Sequence, residues 1–130
     1  MPEPVTVWAV RLGSGRGEKL GTLSLDPAIL SFRHVKGTDH VDIALSAIRS
    51  VKRGLGSPVL LVEFDHEDAP AHMAFFFARP PPIDVEAAGF RRVRDRRQNL
   101  RTFLAQNTSM RPVVRQWRRE LRAAVREARR

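Results

Sequence analysis

The first residues in this chain whose types could do chemistry are its four histidines and a run of carboxylates. Asp65, His66, Glu67 and Asp68 are consecutive, and His72 follows four residues on. Oxygen and imidazole donors gathered in one loop are the raw material of a divalent metal site. Such a site also needs ligands fixed in advance by outer partners, and a single polar hairpin tip does not supply them. The cluster therefore reads as a solubilising loop, and neither a metal nor any other cofactor is expected. Ser24, Ser31, Ser46, Ser50 and Ser57 fall in strand or turn contexts, without the strand-to-helix elbow that exposes a nucleophile. No motif selects His34, His40, His66 or His72 as the base for any of them. Residues 13–17 (GSGRG) have the glycines of a phosphate-binding loop. They lack its Gly-Lys-Ser/Thr ending and lead into a strand, so the helix-terminus anion site is missing. The absence of cysteine excludes disulfides, Cys-ligated zinc and thiol catalysis. The chain is expected not to be an enzyme.

Arginine is the chemistry present in quantity. Lys and Arg number 23 against 14 Asp and Glu, a net charge of +9. The excess is confined to one region. Residues 1–84 hold 9 basic and 10 acidic side chains, whereas residues 85–130 hold 14 arginines and 4 acids, net +10. Only 3 of the 23 cations are lysine, a bias that a GC-rich, bacterial type of composition produces as readily as function does. It is not taken as a sign of bidentate recognition.

Within residues 113–130, Val114, Trp117, Leu121, Ala124, Val125 and Ala128 recur at spacings of three and four, the apolar stripe of an amphipathic helix. Arg115, Arg118, Arg119, Arg122, Arg126 and Arg129 cover the rest. Like charges one turn apart, such as Arg115/Arg119 and Arg118/Arg122, are mildly destabilising, and Glu120 and Glu127 offset little of the excess. Something negative is expected to compensate it. The candidates are the chain's own acidic loop (Glu63, Asp65, Glu67, Asp68), a protein partner or second copy along the apolar seam, nucleic-acid phosphates, and an anionic lipid surface. The residues expected to carry binding are Arg115, Trp117, Arg118, Arg119, Leu121, Arg122 and Arg126. Net charge alone licenses only non-specific association. Tyrosine is absent and the phenylalanines sit mainly in strands, so the stacking aromatics of a nucleic-acid reader are lacking. A solvated helix face with Trp117 and Leu121 docked on the barrel or on the preceding helix is the first reading; among external partners a protein or second copy comes first, nucleic acid second and an anionic membrane third. No small-molecule substrate is indicated.

The elements that position these residues change character once. Up to residue 78 the hydrophobic period is two, the signature of strands. Residues 5–12 (VTVWAVRL), 20–25 (LGTLSL), 29–34 (ILSFRH), 41–45, 59–64 (VLLVEF) and 72–78 (HMAFFFA) alternate or are apolar on both faces, and Ile48 and Val51 continue the fourth run through a bend. Glycine- and proline-bearing stretches at 13–17, 26–27, 36–39 and 54–58, and a polar loop at 65–71, separate them. The expected core is Val7, Leu23, Leu25, Leu30, Phe32, Ile43, Leu45, Ile48, Leu60, Val62, Phe64, Phe75 and Phe77. Pro80, Pro81 and Pro82 break the pattern. Beyond them the period is helical, with Asp84 as a cap for a helix over about 84–105. Residues 106–109 (QNTS) read as a break, with Ser109 capping a second helix and Pro112 in its first turn.

A chain of 130 residues suits one domain with an adequate core. No run approaches the roughly 20 apolar residues that span a bilayer, and the opening Met-Pro-Glu-Pro has no signal-peptide pattern. A cytoplasmic setting is expected.

The stretch 21–51 reads Gly-x-Leu-x-Leu, a turn, Leu-x-Phe, a polar turn, then Val-x-Ile-x-Leu-x-x-Ile-x-x-Val. It resembles the front half of pleckstrin-homology-like and GRAM-like domains, and the strands at 59–64 and 73–78 followed by a helix resemble their back half. The resemblance covers residues 5–105 or so. It implies two nearly orthogonal antiparallel sheets forming a partly open barrel, plugged by a C-terminal helix, and a binding or scaffolding role. Phosphoinositide binders of this kind place a lysine, then a basic residue two before an arginine, in the first hairpin. Here Arg11, Arg16 and Lys19 are followed by Leu20 and Gly21, so the second half of that motif is missing and the lipid site is not carried over. The expectation is thus an α+β chain: a pleckstrin-homology-like domain over 1–106, a basic helical extension over 107–130, and a non-catalytic protein-binding function.

Overall fold

The computed structural model describes residues 2–13, 17–36, 40–54, 58–78 and 93–130, with the side chains of 93–109 left out. The chain is α+β. Seven strands come first: β1 (Val5–Arg11), β2 (Lys19–Leu25), β3 (Ile29–His34), β4 (His40–Ala44), β5 (Ile48–Arg53), β6 (Val59–His66) and β7 (Ala69–Phe76). One helix, α1 (Val93–Ala128), follows. The strands form one antiparallel sheet in the order β4-β3-β2-β1-β7-β6-β5. The β1–β7 pairing, which sets Trp8 opposite Phe76 and Arg11 opposite Met73, joins a four-strand meander to a three-strand one.

The ladder does not close. β4 and β5 are its two ends, and they are linked by a single 3-10 turn, Leu45–Ala47, in place of a hairpin. The strands thus make one antiparallel sheet that is not closed, followed by the helix, the α+β order expected. Leu45 N–H donates to the Ala28 carbonyl at 2.9 Å, so this turn is tied to the β2–β3 turn and leads the chain away from β4.

Alternation dictates the inner face. Val7 and Ala9, Gly21 and Leu23, Leu30 and Phe32, Leu60, Val62 and Phe64, and Met73 and Phe75 are all buried on a period of two. The Phe32 and Phe75 rings meet at 6.2 Å although their strands are not neighbours, so the sheet curls over its own core. Every expected core residue is buried except Leu25, which is half-buried where β2 runs into its turn. In that turn Asp26 Oδ1 accepts from the N–H groups of Ala28 and Ile29, both at 2.7 Å.

Two local expectations are corrected. The polar loop at 65–71 is a two-residue hairpin instead: β6 runs on to His66, β7 begins at Ala69, and Glu67 and Asp68 take φ of 51° and 66°. Positive φ at both turn residues is the twist that matches flanking strands. The break at 106–109 is also absent, because the backbone stays helical from Val93 to Ala128 with Pro112 inside. Gln, Asn, Thr and Ser each cost under about 0.7 kcal/mol against Ala in a helix, and an interior proline about 3 kcal/mol. Burial of the apolar face further on offsets that sum. The proline run and Asp84 lie outside the described residues.

Candidate functional site

α1 is seated by the face its sequence marks. Val114, Trp117 and Leu121 are at most 1% exposed, with Met110, Val113, Ala124, Val125 and Ala128 packed around them. Trp117 meets the Phe77 ring edge-on at 6.2 Å. At the other end of the docked stretch the Arg129 guanidinium donates to the Ile48 carbonyl at 2.6 Å. These two anchors lay α1 alongside β5 and the 3-10 turn, over the gap the ladder leaves open. Trp117 and Leu121, expected among the partner-binding residues, therefore have their apolar surface already taken up by the chain's own core.

The arginines remain outside. Arg111, Arg115, Arg119, Arg122 and Arg126 are exposed. Arg118 is half-buried, and its Nε is shielded from solvent with no hydrogen-bond partner. At 100° per residue these six fall within about 100° around the axis and extend for about 22 Å along it. Three of the four acidic-loop residues have partners within the sheet. Asp65 Oδ1 lies 2.7 Å from Arg49 Nε, Glu63 faces His72 at 3.5 Å, and Glu67 faces His66 at 3.8 Å. The ion pair seen at the end of α1 joins Arg130 to Glu127 at 3.5 Å.

A second site was not visible from the sequence. A cleft of about 830 Å³ opens among the β1–β2 hairpin, the start of β4 and the β6–β7 hairpin. Ala9, Phe32, Val41, Phe64, Ala71 and Met73 form its apolar part; Arg11, Lys19, His40, His66, His72 and Asp42 supply the polar part. Three of the four histidines thus come together from two hairpins. Arg11, Lys19 and His66 simply continue the inward alternation of Val7–Ala9, Gly21–Leu23 and Val62–Phe64 past the end of the apolar core. That parity is a signal the sequence carried. His40 and Asp42 enter from the neighbouring strand, and their side chains approach to 3.6 Å.

The large hydrophobics found exposed among the described residues, Leu12 (50%) and Val35 (58%), belong to the same end of the molecule. Leu12 lines the cleft, and Val35 N–H donates to the carbonyl of Leu20, the neighbour of the cleft residue Lys19.

The Ser31 hydroxyl Oγ donates to Asp42 Oδ1 at 2.8 Å. Asp42 thereby stands between Ser31 and His40. A serine nucleophile needs the imidazole, not the carboxylate, as its direct partner. Among the described residues no three His, Asp or Glu side chains are grouped so as to hold a metal ion, and no helix is long and apolar enough to cross a membrane. No family model matches this chain, and no curated protein matches it.

Proposed function

We propose that this chain is a non-catalytic protein-binding module that takes a partner's peptide segment in the cleft at its hairpin end. The observation that carries this reading is the pairing of an apolar floor with an exposed large hydrophobic in the cleft lining. Leu12 is half exposed there, and Phe32, Phe64 and Met73 line the same cleft. Interfaces draw most of their energy from apolar anchors seated in such pockets, ringed by polar groups that fix orientation. Arg11 and Lys19 on the rim favour a segment that carries a carboxylate or phosphate beside its apolar anchor. The order Ser31–Asp42–His40 supports binding over nucleophilic chemistry. A pleckstrin-homology-like relationship is part of the proposal and rests on the hydrophobic spacing over 21–51. A cytoplasmic setting fits the lack of cysteine.

The test is selection of peptides from a random display library, followed by calorimetry of the best binder with the Ala71→Trp and Leu12→Asp variants. Ala71→Trp fills the cleft, and Leu12→Asp removes the rim anchor. Each is expected to weaken binding at least about tenfold, equivalent to 1.4 kcal/mol. Selected peptides that bind both variants as tightly as the parent would remove the cleft from the function.

A further inference from the structure

We propose that the outer face of α1 is a second, separate binding surface, which lies along the phosphate backbone of a double-stranded nucleic acid without reading its sequence. The charge layout carries this. Six arginines, from Arg111 to Arg126, occupy one stripe of a helix whose adjoining face is locked into the core by Val114, Trp117 and Leu121. The stripe is thus a fixed row of cations and not a floppy tail. Its length of about 22 Å matches about six base-pair steps at 3.4 Å. β5, the strand α1 packs on, adds exposed Lys52 and Arg53.

The same layout argues against the other anionic partners. An amphipathic helix holds to a membrane by sinking its apolar face, and here that face is already buried against the chain's own sheet. A protein partner needs apolar or aromatic anchors, and the other exposed positions from Arg111 to Glu127 are Pro112, Gln116, Ala123 and Glu127, none of them a large hydrophobic or aromatic residue. Among the described residues the exposed large hydrophobics, Leu12 and Val35, lie away from α1. A surface of guanidinium groups without anchors suits phosphate oxygens, which ask for charge and forked donors and nothing more. The absence of base-reading aromatics, a difficulty for sequence recognition, is what a backbone-only contact predicts.

The test uses the full chain and fluorescence anisotropy. The probes are a labelled 20-base-pair DNA duplex of random sequence, an RNA duplex of the same length, and vesicles containing 30% phosphatidylserine, each at 50, 100 and 200 mM KCl. Both duplexes should bind regardless of sequence, and log affinity for the DNA should fall against log salt with a slope of about −4 to −5, since each phosphate contact contributes about −0.9. Reversing Arg115, Arg119 and Arg122 to Glu should reduce the steepness by about 2 to 3, and the milder Arg→Gln set should do the same if the reversed chain is unstable. Circular dichroism should show the helix intact in whichever set is used. The proposal is overturned by no duplex binding at 50 mM KCl, by a slope that the substitutions leave unchanged, by tighter binding to the vesicles than to the duplexes, or by polyglutamate displacing the DNA at equal charge concentration. The third outcome would assign the stripe to lipid, and the fourth to an acidic protein. Ala71→Trp, which blocks the cleft, should leave duplex binding unchanged, so this surface stands or falls apart from the cleft.

Discussion

The sheet and the helix treat charge in opposite ways. In the sheet, charged and polar groups meet partners across neighbouring strands. Glu63 is directly opposite His72, Ser31 is directly opposite Asp42, and Arg49 reaches Asp65. A period of two sends every second residue of adjacent strands to the same face, where unlike groups face each other at short range. In α1 a period of 3.6 stacks residues three and four apart, and there the stacked residues are arginines. Several of the sheet's charges are met locally, whereas the helix gathers its arginines along one exposed stripe. A nearly neutral sheet and a strongly basic helix within one core therefore differ in how far their fields reach, not only in net charge.

The strongest way to break this comparison is to separate the two regions. Trp117→Ala removes the largest side chain joining them and is expected to cost about 3–5 kcal/mol, measured by urea unfolding followed by far-ultraviolet dichroism. A loss under about 1 kcal/mol would mean that the helix is not held by its seam. Next in size is a change confined to the sheet. A Cβ at Gly21 would collide with the Arg33 carbonyl and the Phe32 ring. Gly21→Ala should therefore cost about 1–3 kcal/mol through overpacking, read as a lower midpoint in the same titration with duplex affinity unaltered. The smallest effect has the opposite sign. Arg122→Glu places a carboxylate one turn from both Arg118 and Arg126, and it should stabilise the chain by a few tenths of a kcal/mol. That gain should shrink as salt is raised from 20 mM to 1 M. Arg49→Glu, which sets like charge against Asp65 on the sheet, should destabilise by a similar amount. Equal signs for these two substitutions would erase the contrast between the regions.

The strands and their inner face were legible because alternation is a local signal. Val7, Leu23, Phe32, Val62 and Phe75 each follow from neighbours two residues away. The apolar stripe of α1 was legible for the same reason at its own period. The tight turn at Glu67–Asp68 was not, because neither residue is the glycine or asparagine that normally announces positive φ. The continuity of α1 through 106–112 was hidden because propensity penalties are local, whereas the burial that outweighs them lies at Trp117 and Leu121. The cleft was the least visible. Arg11, Lys19, His40, His66 and His72 span some sixty residues of chain, and only the β1–β7 pairing brings their hairpins together. Alternation marked three of them as inward-facing, but no sequence pattern states the register of two strands so far apart.

The seat of α1 also sets the order in which this protein can be made. The gap between β4 and β5 is covered by residues from Met110 onward, which are synthesised after every strand. Until they arrive, the seven strands lack the side chains of Val114, Trp117 and Leu121, which complete the core around Leu45, Ile48 and Phe77. A nascent or truncated chain that ends before Val114 is therefore a sheet with an uncovered apolar seam and two unpaired edges, the kind of surface that chaperones bind and that other chains add strands to. The sheet is covered only when the basic helix that follows it has come back over it.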